Sequence, residues 1–195
     1  MSTKDLAEHP TVIVSYSWSS PEYEDRILQI VNDLLSRGTD VIFDKYDLSE
    51  GADINAYMER MKTDESISKV LIFCDKQYAD KADGRQGGVG TETLIIAQEV
   101  YNELDPAGNS HRYIPIVMEK GIDEKGRKKA CLPTYLAGRK YIDMTEDNPD
   151  GFEQLERFIH GKPLYAKPAL GTIALFIKPL FDAVVIPAPS GSATK

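Results

Sequence analysis

Runs of apolar residues of strand length recur along the chain and alternate with amphipathic segments. In the first four runs the Val, Ile, Leu and Phe residues are nearly continuous, which is typical of strands buried on both faces of a parallel sheet. The pattern therefore predicts β-strands over Thr11–Tyr16, Thr39–Asp44, Ser68–Cys74, Tyr113–Met118 and Lys140–Asp143.

The segments between these runs have the spacing of amphipathic helices. Between the first two strands, apolar residues from Ile27 to Leu35 recur at intervals of three and four, which places them on one helix face. Ser20 is a favourable N-cap, Pro21 suits the first helical position, and Gly38 follows the end of this helix. Three further helices are predicted, around Ile54–Met61, from near Gly90 to Leu104, and over Phe152–Ile159.

Strands that alternate with helices favour a doubly wound α/β domain with right-handed crossovers. We expect a flavodoxin-like, five-stranded parallel sheet in the order 2-1-3-4-5, which reverses direction between the first and third strands. Open α/β sheets bind ligands at such a switch point, outside the carboxyl ends of the strands. The candidate site is therefore bordered by the Tyr16–Ser20 and Asp75–Thr91 loops, with the Asp44–Asp53 loop beside them.

Composition narrows the classes of function. The 195 residues, 42% of them hydrophobic, are enough for one domain with a sizeable core. A net charge of −8 disfavours nucleic acid as a partner, because phosphate binding requires a basic surface. The one basic cluster, between Lys125 and Lys129, is expected to lie in a solvated loop. Cys74 and Cys131 have neither metal-ligand nor disulfide spacing.

The two ends of the chain differ in composition from residues 11–171, which we expect to form the folded domain. Residues 1–10 are a polar lead without a secretion signal, so a cytoplasmic protein is expected. The segment 172–195 is an apolar extension with a flexible tail, and Lys178, Pro179 and Asp182 interrupt its apolar part. Because a bilayer span needs about 20 apolar residues, we expect a docking or oligomerising helix and no membrane partner.

A glycine-rich polar loop follows the third strand, and a carboxylate follows the loop. The loop contains Gly87, Gly88 and Gly90, and Glu92 lies in the first turn of the next predicted helix. Glycines at this place would let backbone N–H groups approach a phosphate, while Glu92 would lie at the switch point. The ordinary alternative is that Glu92 only complements the positive end of its helix. The loop lacks the G-x-G-x-x-G fingerprint, so a hydride-transferring dehydrogenase is not expected.

Motifs spread over about residues 11–171 resemble, in the same order, those of TIR and SEFIR domains. They are I-V-S-Y-S-W at Ile13–Trp18, I-F-D-K-Y-D-L-S-E-G-A-D at Ile42–Asp53, V-L-I-F-C-D-K-Q-Y at Val70–Tyr78 with G-G-V-G-T-E-T at Gly87–Thr93, and F-I-H-G-K-P-L-Y-A-K-P-A-L-G at Phe158–Gly171. The second motif is similar to the BB loop of bacterial SEFIR domains. The chain thus resembles a bacterial TIR/SEFIR domain protein, and within that group the type that cleaves NAD+.

This resemblance implies an activity and a set of site residues. Catalytic TIR domains cleave NAD+ at the nicotinamide–ribose bond with a Glu at the start of the third helix, and Glu92 matches that position. Gly88 occupies the place of the Trp in their W-x-x-x-E motif, so Trp18 or Tyr16 is expected to cover the nicotinamide instead. NAD+ is then a substrate, with no resident cofactor and no metal. The expected NAD+-binding residues are Tyr16, Ser17, Trp18, Asp44, Gly87 and Gly88.

The resemblance also implies assembly, and it leaves competing functions open. Bacterial TIR enzymes of antiphage defence imply a homo-oligomer or filament built through TIR–TIR contacts, together with an upstream sensor domain or protein. The alternative is a non-enzymatic SEFIR/TIR adaptor that associates through the Asp44–Asp53 loop, although an adaptor needs no carboxylate at Glu92. A flavodoxin-like receiver or nucleotide-binding domain is disfavoured, because Ser17–Ser20 lacks the glycine of a phosphate-binding turn.

Overall fold

The computed structural model describes residues 9–84, 97–100, 102–103, 112–162 and 164–171. The strands are β1 (Thr11–Ser15), β2 (Asp40–Ile42), β3 (Ile67–Cys74), β4 (Tyr113–Val117), β5 (Lys120–Ile122), β6 (Lys128–Ala130) and β7 (Ile142–Asp143). The α-helices with described bounds are α1 (Pro21–Ser36), α2 (Asp44–Asp47), α3 (Ile54–Thr63), α4 (Lys76–Gly84) and α5 (Gly151–Ile159). A 3₁₀ turn covers Thr134–Leu136, and residues 97–100 are also helical.

Five of these strands form one parallel sheet in the order β2-β1-β3-β4-β7. The two neighbours of β1 are fixed in register, with Ile13 opposite Ile42 of β2 and opposite Val70 of β3. This confirms the predicted fold class and strand order. The switch point therefore lies between β1 and β3, and the segments that follow β1, β2 and β3 share one edge of the sheet.

The core has two layers, one on each face of the sheet, because successive side chains of a strand point to opposite faces. Val12 and Val14 of β1 pack with the buried residues of α1 and α5, including Ile27 and Leu155. Ile13 packs on the other face with Tyr57 and Met61 of α3, Tyr78 of α4 and Leu136. Burial on both faces is the reason for the continuous apolar character of these strands.

Helix α1 begins and ends where its capping residues predict. The Ser20 hydroxyl accepts a hydrogen bond from the backbone N–H of Tyr23 (3.2 Å), and Pro21 is the first helical residue. Gly38 has a φ of 86°, a left-handed conformation that glycine adopts without strain, and its N–H donates to the carbonyl of Leu35. Both ends of the helix are thus specified by local sequence.

Two segments that were expected to be loops are regular structure. The beginning of the predicted Asp75–Thr91 loop is helix α4, because the Asp75 carboxylate accepts the N–H of Tyr78 (2.7 Å) and Tyr78 is buried beneath the helix. The basic segment around Lys125–Lys129 lies in an antiparallel hairpin of β5 and β6. The loop prediction is therefore wrong for Lys76–Gly84 and for the hairpin strands.

The segment after β2 also differs from the prediction, because Asp44 ends no strand and instead begins the single-turn helix α2. The turn is fixed by Asp47, whose carboxylate accepts the N–H of Phe43 (2.7 Å). Phe43 is fully buried. The predicted Asp44–Asp53 loop therefore starts with an ordered turn that is anchored in the core.

Contacts within the chain divide it into two units, Met1–Leu164 and Tyr165–Lys195. The described part of the second unit, residues 165–171, contains neither helix nor strand. The predicted apolar extension and tail, 172–195, lie outside the described residues. Among the helices that the structure describes, none combines the length and the hydropathy that crossing a bilayer requires.

Candidate functional site

An open groove of about 500 Å³ lies at the carboxyl ends of β1 and β2. Its walls come from the segment after β1, the first turn of α1, helix α2 and the loop that leads to α3. The lining side chains include Tyr16, Trp18, Glu24, Asp44, Lys45, Leu48 and Ile54. The groove thus lies beside the switch point, bordered by two of the three predicted segments.

The carboxylate of Asp44 is the centre of the polar contacts in this groove. The Tyr16 hydroxyl donates to both of its oxygens, at 3.0 Å to Oδ1 and 3.1 Å to Oδ2. Trp18 Nε1 donates to Oδ2 (3.1 Å), and the backbone N–H of Lys45 donates to Oδ1 (2.8 Å). Three donors from two neighbouring strand ends therefore converge on one carboxylate, which holds the two aromatic side chains in place.

The environment of Tyr16 keeps its hydroxyl protonated. Burial raises the pKa of Tyr16 above its ordinary value, and the negative charge of Asp44 raises it further. The ring also packs on the fully buried Phe43, with ring centroids 5.6 Å apart. Tyr16 is therefore a fixed hydrogen-bond donor that ties the end of β1 to α2.

Trp18 is the large aromatic side chain that the groove presents to solvent. It is 57% exposed, although its indole N–H is held by Asp44. Glu24 and Lys45 line the same groove and pair with each other at 2.7 Å, so they leave little net charge on that wall. The groove thus combines an exposed, oriented indole ring with the negative charge of Asp44, which suits a flat or cationic ring.

Ser17 lies next to this groove but is not among the residues that line it. Its side chain is buried, and its hydroxyl donates to Asp75 Oδ1 (2.6 Å). Asp75 follows β3 and is itself only 4% exposed. Ser17 therefore connects the end of β1 with the end of β3.

The structure brings together part of the predicted site. Tyr16, Trp18 and Asp44 meet in one hydrogen-bonded cluster. Glu92, Gly87 and Gly88 lie outside the described residues, so their roles remain predictions. For the third predicted helix, the described residues 97–100 are helical and Val100 is buried, as expected.

Sequence reasoning did not select Glu24, Lys45 or Asp75. Glu24 lies in the first turn of α1, where a carboxylate is ordinary, and nothing in the sequence pairs it with Lys45. Asp75 does carry a local signal in the sequence. It follows the apolar run of β3, and Asp in such a position is a favourable N-cap for a helix that begins at the next residue.

Comparison with known proteins gives one family and its fold relatives. The family model described as "SEFIR domain" matches residues 10–164. The crystal structure of a prokaryotic SEFIR domain is 35% identical, covers 83% of this chain and 99% of its own, and superposes with a TM-score of 0.61. The TIR domain of the Toll-related receptor TRR-2 from Hydra magnipapillata is 18% identical over 76% of this chain and 96% of its own, with a TM-score of 0.50.

These matches differ in what they establish. The likeness to the Hydra TIR domain shows a shared fold only. No curated protein sequence matches the chain significantly. The family match covers most of the chain and agrees with the prokaryotic structure, which is matched over nearly its whole length. The chain therefore belongs to the SEFIR domain family.

Proposed function

We propose that the groove binds NAD+ and that the chain cleaves the bond between nicotinamide and ribose, with Glu92 as the catalytic carboxylate. The observation that carries this proposal is the exposed indole of Trp18, which Asp44 holds beside the switch point of the sheet. An oriented indole beside a carboxylate is a suitable surface for the cationic nicotinamide ring, since such stacking contributes up to about 2 kcal/mol when desolvated.

Cleavage of this bond requires few catalytic groups. Cleavage of an N-glycosidic bond to a cationic nicotinamide passes through an oxocarbenium-like state, as in sugar hydrolysis. Nicotinamide leaves as a neutral molecule, so no general acid is required. Water then adds to the ribosyl cation and gives up a proton to solvent, which yields ADP-ribose, whereas attack by a ring nitrogen of the adenine yields cyclic ADP-ribose. One carboxylate that binds the ribose hydroxyls and stabilises the developing positive charge is sufficient, and Glu92 has the sequence position for it.

Asp44 has a different role in this proposal. Its two oxygens already accept hydrogen bonds from Tyr16, Trp18 and the N–H of Lys45. It therefore orients the two aromatic rings and adds negative charge near the nicotinamide, while Glu92 contacts the ribose. Gly87 and Gly88 would let backbone N–H groups approach the phosphates.

The central experiment is an incubation with NAD+, followed by chromatography that separates nicotinamide, ADP-ribose and cyclic ADP-ribose. Glu92→Gln keeps the size of the side chain and removes its charge, so we expect cleavage to be abolished with an unchanged melting temperature. Glu153→Gln is the matched control, because it removes a carboxylate from the first turn of α5, outside the groove, and should leave cleavage unchanged. Near-full turnover by Glu92→Gln would refute the catalytic assignment.

Trp18 provides a second test of the same proposal. Trp18→Ala should weaken NAD+ binding or turnover by about tenfold, and Trp18→Phe should do so less, because stacking on a cationic ring is lost or reduced. The melting temperature is measured beside the kinetics. A lower melting temperature with normal activity per folded molecule would show that Trp18 only packs, and would contradict the proposal.

We further propose that the enzyme is activated by self-assembly and serves in antiphage defence. The Asp44–Asp53 segment borders the groove. Tyr46 in this segment and Ile54 directly after it are exposed, and Ile54 also lines the groove. A neighbouring subunit that covers this rim would also cover the bound ligand. Specific activity should then rise with protein concentration, and a constant specific activity from nanomolar to high micromolar protein would contradict this step.

The same exposed rim favours a second candidate function, a non-enzymatic adaptor that associates with its own kind. In that case Ile54→Ser should weaken self-association in sedimentation experiments, and no NAD+ cleavage should occur at any protein concentration. Self-association without cleavage in the wild-type chain would favour the adaptor over the enzyme.

A further inference from the structure

A second carboxylate, Asp75, lies on the other side of β1 from Asp44. It follows β3, is 4% exposed, and caps helix α4 by accepting the N–H of Tyr78 at Oδ1 (2.7 Å). Capping alone needs one oxygen of an exposed side chain. The burial and the second oxygen of Asp75 therefore call for another explanation.

The remaining contacts of Asp75 come from the segment after β1. Ser17 Oγ donates to Oδ1 at 2.6 Å, and Ser19 Oγ donates to Oδ2. The two hydroxyls also lie 2.6 Å from each other. Both residues that flank Trp18 in the sequence are thus tied to the same carboxylate.

Hydrogen bonds satisfy the buried carboxylate of Asp75. In the described part of the chain no Lys, Arg or His forms an ion pair with Asp75. A buried carboxylate is costly unless hydrogen bonds compensate for its lost hydration. Displacing the serines would therefore leave a buried charge under-satisfied, which makes the segment resist movement.

From this we propose that Asp75 is a positioning residue, which fixes the backbone on both sides of Trp18 and so sets the place of the indole in the groove. The side chain of Trp18 is held separately by Asp44 (3.1 Å). The segments after β2 and β3 thus each supply one carboxylate: Asp44 bonds the Trp18 side chain, and Asp75 bonds the serines on either side of it. Only the effect on NAD+ rests on the proposed function; the positioning does not.

Trp18 is the only tryptophan of the chain, so its fluorescence reports on this position alone. Time-resolved anisotropy measures local motion of the indole without any ligand. The double variant Ser17→Ala/Ser19→Ala removes both serine contacts but leaves Asp75 in place to cap α4. Because the backbone on both sides of Trp18 is then no longer held by Asp75, we expect faster local motion of the indole. The matched control is Ser36→Ala/Ser68→Ala, which also removes two serine hydrogen bonds, each of 2.8 Å, and should leave the anisotropy unchanged.

Binding of NAD+ to these variants gives the functional readout. The double variant loses both serine hydrogen bonds to Asp75 and should bind NAD+ more weakly, by at most the roughly tenfold loss expected when Trp18→Ala removes the indole. The loss should appear in KM rather than in kcat. Asp75→Asn keeps the shape and the Oδ1 acceptor, and in place of Oδ2 it carries an N–H that can donate to Ser19 Oγ. It should therefore keep most of the wild-type anisotropy that Asp75→Ala loses.

The outcomes separate the two proposals. Unchanged anisotropy in a folded Ser17→Ala/Ser19→Ala variant would overturn the positioning role and leave Asp75 as a helix cap. If the double variant does not fold, Ser19→Ala alone decides in the same way, because it breaks the contacts to Oδ2 and to Ser17 Oγ but keeps the bond between Ser17 and Asp75. If wild-type protein does not bind NAD+, the proposed function fails while the anisotropy result still stands.

Discussion

The contact between Tyr16 and Asp44 can be measured as a coupling free energy. Asp44→Ala removes the acceptor of Tyr16, Trp18 and the N–H of Lys45. Trp18 and Lys45 are exposed and can bond to water instead, so most of the cost comes from the half-buried Tyr16. A hydrogen bond to a charged group contributes about 1.5–3 kcal/mol, and partial exposure places this one near the lower end.

We therefore expect Asp44→Ala to lower the free energy of unfolding by about 2 kcal/mol. Tyr16→Phe should cost about 1.5 kcal/mol in the wild-type background and little once Asp44 is absent. The coupling free energy from this double-mutant cycle should then be about 1 kcal/mol or more.

Urea denaturation followed by circular dichroism is the suitable assay, because both substitutions change the surroundings of Trp18 and would alter its fluorescence directly. A loss of 2 kcal/mol should lower the midpoint by about 1 M urea. Asp40→Ala is the control, since Asp40 is exposed and its carboxylate accepts a hydrogen bond from Thr11 (3.1 Å) at the other end of the strands. A coupling below about 0.3 kcal/mol would refute the view that Asp44 holds Tyr16 in place.

Two further predictions test the packing and the titration of the domain. At Gly151 a Cβ would lie 2.2 Å from the carbonyl oxygen of Asp143, so Gly151→Ala should cost about 3 kcal/mol in thermal unfolding, while Gly138→Ala, which meets nothing within 4 Å, should change little. Burial raises the pKa of Tyr16 and Tyr23 in the folded state. The stability that the two hydroxyls contribute is therefore complete below their unfolded pKa of about 10 and is lost as the pH rises above it. In urea titrations the double variant with Phe at both positions should lose less free energy of unfolding between pH 9 and pH 11 than the wild type, and equal losses would contradict this.

The sheet was predictable because its signals are local and repeated. Four strands that are buried on both faces leave nearly continuous apolar runs, and these fix both their number and their parallel direction. The ends of α1 were predictable for a similar reason, since Ser20, Pro21 and Gly38 act within one turn of the helix. The strand order was predictable because 2-1-3-4-5 is a common order for doubly wound sheets of five strands.

Helix α4 and the β5–β6 hairpin, which the sequence did not predict, depend on contacts between residues that lie far apart in the sequence. Helix α4 has one buried residue, Tyr78, and its apolar periodicity is accordingly weak. The β5–β6 hairpin is polar, and Lys120 and Lys128 at its two strands both pair with Asp147, which lies beyond β7. Only the folded chain brings these groups together, so single-sequence patterns carry little sign of them.

In the candidate site, too, the positions of the residues were predictable and the contacts between them were not. Topology selected Tyr16, Trp18 and Asp44 because they follow the ends of neighbouring strands. Their hydrogen bonds depend on register: Ile13 lies opposite Ile42, which brings the segments after β1 and β2 side by side. Asp75 reaches the segment after β1 in the same way, since Ser15 lies opposite Ile72. The position of the indole is thus a property of three adjacent strands, and substitutions at Asp44 and at the two serines should reinforce each other's effect on Trp18.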